Sequence, residues 1–333
     1  MNHSREALWD NLKFFLILNV VVGHLILYFL KDSDFCKSLY TFIYSYHMPL
    51  FFFIAGYFHS NKKTLSKIFF FVISALLLRF LLFAENRILY NWGNLTLGTE
   101  SGVPWFMLAM AVFIVLAYAV KEIDPKVVLP VSIIVGCFVG YDSSVNDFLV
   151  LSRIFVFFPF YYAGILVSRN ESLKSQLYLR TYKKRIFSIL IPVAFFIICM
   201  LFIDRLYFLK PYFNGRYPYS FIWEANYLHV KSGLIRLLCY GITFMMGFSL
   251  IILTPNYSLP VVSLMGTKTL QIYFWHMFFI QILRKSGIVK FAFRENVALL
   301  LVLAVFLTLF LGWSVFSFPV KNIRDGCLKY KTE

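Results

Sequence analysis

Charge is scarce in this chain: only 14% of its 333 residues are Asp, Glu, Lys or Arg, and acids are the rarer half, 16 against 32 bases. Soluble domains carry roughly a quarter charged residues, so the chain lacks the polar surface that water requires. The five cysteines (Cys36, Cys137, Cys199, Cys239 and Cys327) are scattered, with no CxxC pair and no metal-ligand spacing. They read as small apolar packers, which leaves neither a disulfide framework nor a metal site. There is no GxSxG elbow, no P-loop and no GxGxxG fingerprint, so the devices of soluble hydrolases, NTPases and dehydrogenases are missing. No internal repeat is visible, which removes the main sequence support for a repeat-built transporter. The first apolar run does not read as a cleavable leader: Lys31, Asp32 and Ser33 follow it where small residues would be needed, so it is expected to stay as the first span.

Apolar residues make up 60% of the chain and aromatic ones 20%. Runs of about twenty apolar residues recur from end to end, each long enough to cross a ~30 Å hydrocarbon core as a helix. The expectation is an all-α polytopic membrane protein forming one integral-membrane domain over 1–333. About ten transmembrane helices are expected, at 12–30, 39–58, 68–84, 104–120, 127–141, 148–168, 186–204, 234–254, 261–283 and 296–319. With the N-terminus inside, cytoplasmic segments hold sixteen Lys and Arg and external ones eleven. The bias is strongest over the first six spans and places both termini in the cytoplasm. The net charge of +16 then reflects loops facing anionic lipid, not nucleic-acid binding.

A charge at mid-bilayer costs at least ~2.5–3.5 kcal/mol, which makes each such residue a functional candidate. The candidates are Lys13, His24, His47, Arg79, Arg153, Arg236, Lys268 and His276. Lys13 and Arg236 lie close enough to a span end to snorkel, and Arg79 reaches toward the external face. Arg153 and Lys268 lie deeper, where ion pairing with unidentified partners would explain them. Lys13 and His24 have informative spacing. Eleven residues at about 100° each leave the two side chains only ~20° apart, separated by roughly 16 Å along the helix. A cation at the cytoplasmic mouth thus stands below an imidazole at mid-depth. That suits a ligand with an anionic head and a reactive end inside the membrane, such as acyl-coenzyme A; a histidine packed against another helix explains His24 equally well.

Two external segments, 85–103 and 205–233, mix aromatic and polar residues. Such surfaces suit a sugar, whose C–H face stacks on rings while its hydroxyls need polar edges; an interfacial aromatic belt is the plainer reading. Trp223, Glu224 and Arg216 are the acceptor-binding candidates there.

Four blocks in order carry a resemblance. "WDNLKFFLILNVVVGH" (9–24) resembles the first-span signature of the membrane acyltransferase-3 family, with Asp10, Lys13 and His24 on its marked positions. "YSYHMPLFFFIAGYF" (44–58) resembles its second-span block and places His47, Pro49 and Gly56. "GVPWFMLAM" (102–110) is similar to its tryptophan element at Trp105, and "MGTKTLQIYFWHMFF" (265–279) to its late block at His276. The form of the second block resembles the fucose-acetylase-like subgroup. Two departures stand out. Lys62, Lys63 and Lys67 replace the paired arginines that often follow the second span, and position 13 is lysine, a point charge without a bidentate fork. Little sequence follows the last expected span, so the extra hydrolase-like domain of some members is not expected here.

The resemblance implies O-acylation, usually O-acetylation, of a cell-envelope carbohydrate in the bacterial cytoplasmic membrane. Acetyl-CoA would be a substrate and no cofactor would be bound. The partners are then acyl-CoA, a glycan acceptor and membrane lipid. His24 is the expected general base, since imidazole titrates near neutrality. Lys13, Asp10, Lys62, Lys63 and Trp105 are the expected donor-binding residues, with His47, Gly56 and His276 as candidate walls of the active site. Two mechanisms stay open, direct transfer and an acetyl-histidine intermediate. The reading from another class is a glycan transporter or flippase, which would have no use for coenzyme A.

Overall fold

The computed structural model describes residues 7–91, 95, 98, 102–222 and 227–329. Among them there is no β-strand. The α-helices are α1 (Ala7–Ile26), α2 (Asp34–Tyr44), α3 (His47–Tyr57), α4 (Thr64–Tyr90), α5 (Trp105–Ala119), α6 (Pro125–Phe138), α7 (Leu151–Arg169), α8 (Glu171–Tyr178) and α9 (Tyr182–Leu201). Beyond these lie α10 (Ile203–Leu206), α11 (Lys210–Asn214), α12 (Tyr219–Ile222), α13 (Tyr227–Leu253), α14 (Pro260–Gly266), α15 (Thr269–Lys285), α16 (Ile288–Glu295), α17 (Val297–Leu311) and α18 (Phe318–Lys329).

The helix starts follow local chemistry. The first backbone N–H groups of a helix have no partner within it, and short polar side chains accept from them. Ser33 accepts from Cys36 N, Asp124 from Lys126 N with Pro125 in the first turn, and Asn170 from Leu173 N. Thr181 and Asn296 do the same for Lys184 N and Ala298 N.

Five described helices are long and apolar enough to cross a membrane: Ala7–Phe29, Thr64–Tyr90, Leu151–Arg169, Tyr182–Leu201 and His229–Leu253. A sixth follows if Val297–Leu311 and Ser314–Cys327, bent by 69°, form one span. The remaining expected spans take other forms. Segment 39–58 is broken at Ser45–Tyr46 into α2 and α3, and 261–283 is broken at Thr267–Lys268 into α14 and α15. The 104–120 and 127–141 runs are short apolar helices. Such breaks are tolerable at membrane depth only where protein surrounds the freed backbone groups. Here the Ser45 N–H reaches the carbonyls of Thr41 and Phe42, and the Lys268 N–H that of Met265.

Close helix contacts rest on glycine. A Cβ at Gly56 would strike the Tyr161 carbonyl and one at Gly164 the Phe53 carbonyl, so α3 and α7 meet backbone to backbone. Gly266 faces the Asp10 carbonyl in the same way and seats α14 on α1. Small residues at such crossings let backbones approach, which is how helices gain dispersion contacts in lipid. This last contact seats the N-terminal end of α1, which carries Lys13.

Candidate active site

Two cavities meet along α1. The larger holds about 930 Å³ and is lined by His24 of α1, Tyr40 and Tyr44 of α2, His47 at the start of α3, Trp105 of α5 and Tyr273 of α15, among others. The smaller holds about 250 Å³ and is lined by Lys13 with mostly apolar neighbours, including Phe51, Phe58, Phe106 and Met110. Met48 and Tyr273 line both. These two side chains therefore form the partition between the lysine end and the histidine end. The Tyr273 hydroxyl donates to the carbonyl of Val103, another lining residue of the larger cavity, so its position is pinned from the far side.

Three imidazoles converge at the partition. The rings of His24 and His276 lie 5.1 Å apart. His276 Nδ1 stands 2.7 Å from the Tyr273 carbonyl, and His47 Nδ1 2.8 Å from the Ile43 carbonyl. A carbonyl only accepts, so both Nδ1 atoms carry the hydrogen and donate. In the neutral ring each Nε2 then presents a lone pair. His276 Nε2 is buried without a hydrogen-bond partner among the described residues. His24 differs: its Nδ1 is sealed and unpartnered among the described residues, while the ring is half-buried and lines the cavity. Nε2 is thus the nitrogen of His24 that can meet a ligand. Nothing in the described residues orients its ring through Nδ1. Asn19 does not: its amide donates to the Phe15 carbonyl and accepts from the Tyr46 hydroxyl.

At the other end, Lys13 Nζ lies 2.6 Å from the buried Asp10 carboxylate. Lys62 and Lys63 are exposed in the turn between α3 and α4, just after Phe58, and line neither cavity. Trp105, expected with the donor-binding group, stands instead in the larger cavity with His24. Gly56 is buried against α7 and lines neither cavity. Arg216 lines the larger cavity, whereas Trp223 and Glu224 lie outside the described residues.

The deep cations have identifiable surroundings. Asp147, only 7% exposed, sits 3.8 Å from Arg153 and 2.8 Å from Arg216, bridging two guanidinium groups. Arg153 also lies 4.6 Å over the Trp105 ring. Lys268 donates to the Gly312 carbonyl, and Arg236 to that of Tyr212. Arg79, Lys210 and Arg284 line the larger cavity as well. Lys210 and Arg284 fall outside the expected spans, and no sequence signal marks them as neighbours of His24. A sphere of 930 Å³ is about 12 Å across; like charges that far apart repel by roughly 0.3 kcal/mol in water and about 1.4 kcal/mol at an effective dielectric of 20. Several cations around one cavity are therefore a standing cost that an anion would relieve.

No group of three or more His, Cys, Asp or Glu side chains among the described residues is arranged to hold a metal ion. The arrangement offers an imidazole in an aromatic and cationic cavity, which adjoins a narrow, mostly apolar cavity lined by Lys13. No curated protein and no solved structure matches the chain. Residues 7–317 match the family profile described as an acyltransferase domain, and the chain belongs to the acyltransferase 3 family.

Proposed function

We propose that this protein is a membrane O-acyltransferase that moves an acetyl or other short acyl group from acyl-CoA to a sugar hydroxyl of a cell-envelope glycan. The observation that carries this reading is the pair of cavities meeting at Met48 and Tyr273, one ending in Lys13 and the other holding His24. The donor phosphates belong at Lys13, near the cytoplasmic mouth. The pantetheine arm follows the small apolar cavity, and the thioester reaches the partition. The acceptor hydroxyl comes from the larger cavity. This assignment goes with about ten membrane crossings in a single domain, both termini cytoplasmic, and residence in the bacterial plasma membrane. The fucose-acetylase-like form of the second-span block favours an acetyl donor.

In the direct mechanism, the hydroxyl oxygen attacks the thioester carbonyl as His24 Nε2 removes its proton. A new C–O ester bond forms, the C–S bond breaks, and the proton passes from His24 to the departing thiolate of coenzyme A. The tetrahedral oxyanion needs a donor. Neutral His47 and His276 have committed their N–H groups to carbonyls, and Tyr273 has committed its hydroxyl. The Trp105 indole N–H makes no hydrogen bond among the described residues and is assigned that role. An acetyl-His24 intermediate would leave the same groups in place and differ in kinetics.

The test is O-acetyl content of the host's surface glycans by NMR, in cells with the wild-type gene, no gene, or a stably inserted His24→Ala variant. The expected result is a gene-dependent acetyl signal that falls at least 100-fold in the variant, within the range general-base removal produces. An unchanged acetyl pattern with altered amounts of surface glycan would overturn the acyltransferase assignment for this envelope and favour a glycan flippase.

A further inference from the structure

The larger cavity is lined by five cations that come from four separate stretches of chain: Arg79, Arg153, Lys210 with Arg216, and Arg284. Snorkelling explains a single lysine or arginine near a helix end, but not five converging on one space. Among the described residues no carboxylate lies within ion-pair distance of Lys210 or Arg284. Asp147 serves both Arg153 and Arg216. A second acid, Glu85 of α4, is close enough to Tyr28 to act on it electrostatically, and neither of its buried carboxylate oxygens has a hydrogen-bond partner among the described residues.

Aromatic rings face four of the five, and Lys210 also donates to the Tyr207 hydroxyl. The Arg284 guanidinium lies 4.1 Å over Tyr28, and Lys210 Nζ lies 5.2 Å over Tyr40. Arg216 lies 4.8 Å over Tyr217 and Arg153 4.6 Å over Trp105. Every one of those rings lines the cavity too. Tyr40 is itself stacked on Tyr44 at 3.7 Å. A ring face positions a cation through its quadrupole without cancelling its charge, so Lys210 and Arg284 bring their positive charge to the cavity undiminished. Ring faces beside cations also match a particular ligand chemistry. The C–H face of a sugar stacks on the rings, and a carboxylate or phosphate on that sugar meets the cations. A volume of about 930 Å³ is in the range of small-molecule sites.

We infer that the acceptor is an anionic sugar, whose negative charge is met by Lys210 and Arg284 in the larger cavity, which Lys13 does not line. This rests on the proposed acyltransferase reading for the word acceptor; the anion site itself does not. Two sources supply the charge, a carboxylate on the sugar or the diphosphate of a lipid-linked sugar.

The experiment is equilibrium binding to the purified full-length protein, with trigalacturonate, neutral maltotriose, inorganic pyrophosphate and acetyl-CoA as probes. Trigalacturonate is expected to bind at least tenfold tighter than maltotriose, with the advantage shrinking as salt is raised, because exposed charges are screened. Lys210→Gln and Arg284→Gln should each reduce that advantage three- to tenfold, and Arg284→Lys should retain most of it. Pyrophosphate outcompeting trigalacturonate would support the site and assign its charge to a diphosphate. Equal binding of charged and neutral sugars, no binding of either anion at millimolar concentration, or an advantage untouched by both Gln variants would overturn the inference. So would competition between acetyl-CoA and trigalacturonate, which would make the cavity the donor's phosphate site. If acetyl-CoA fails to bind while the anion preference stands, the donor assignment falls and the anion site survives.

Discussion

Replacing Asp147 by Asn should loosen the cationic wall of the cavity, and the structure sets the size of the effect. Asp147 and Arg153 are 7% and 3% exposed, so their pair is screened little by water. Breaking a buried pair by removing one partner costs about 3–5 kcal/mol, because the remaining charge is left uncompensated. Two features pull toward the low end. The Arg153–Asp147 separation is 3.8 Å, and Arg153 keeps its contact with the Trp105 ring. Arg216 adds a shorter pair at 2.8 Å, but its side chain is 23% exposed, so that contact is worth about 1 kcal/mol or less. The expected total is about 3 kcal/mol. At roughly 2–4 °C per kcal/mol for domains of 150–250 residues, and less for a longer chain, this is a fall of about 5 °C in apparent Tm. The assay is thermal unfolding of Asp147→Asn in detergent at fixed scan rate, with Arg216→Gln and the double variant completing a cycle. The double variant should lose less than the sum of the singles. A fall below 1 °C, or strict additivity, would refute the reasoning that one carboxylate holds both guanidinium groups.

Lys13→Met keeps the apolar stem and removes the charge; a charged hydrogen bond is worth about 1.5–3 kcal/mol, so KM for acyl-CoA should rise roughly 10- to 150-fold with kcat little changed. An equal loss in kcat would show that Lys13 acts at the reacting centre. Gly56→Ala should force α3 from α7 and cost at least ~2 kcal/mol, read as a lower Tm. Gly241→Ala, with nothing within 4 Å of the added carbon, should change stability by no more than ~1 kcal/mol. His59 lies beyond the end of α3, where burial, with Lys67 and Arg169 nearby, holds its pKa below the ordinary imidazole value of 6.5. The unfolded chain therefore takes up that proton first, so stability should be present at pH 7.5 and lost as pH falls below about 6.5. His59→Gln should flatten that part of the Tm–pH profile.

The helical class and the membrane setting were legible because both depend on composition and on apolar runs, which are local properties. The same is true of Lys13 and His24 sharing a face of α1, since helix period alone decides it. Helix breaks at Ser45–Tyr46 and Thr267–Lys268 were not legible, because the residues that mark them (Ser45 and His47; Gly266, Thr267 and Thr269) fit a polar patch on a continuous span as well as a break. A broken helix is stable there only when neighbouring protein surrounds the freed backbone groups, and no local sequence signal reports that. The four matched blocks brought His24, His47, Trp105 and His276 to attention, but not their arrangement. That Trp105 shares the larger cavity with His24, and that His276 stands 5.1 Å from it, depends on helices distant in sequence.

Composition, apolar runs and helix period thus determined a helical membrane protein with a lysine and a histidine on one stripe of its first helix. Only the tertiary structure decided that Met48 and Tyr273 divide two cavities between them, and that Asp147 bridges Arg153 and Arg216. The convergence of Lys210 and Arg284 on the histidine's side was likewise a tertiary outcome. The physical reason is range: helix formation and membrane insertion are settled within some twenty residues of chain, whereas the charged cavity is assembled by segments as far apart as Val20 and Arg284.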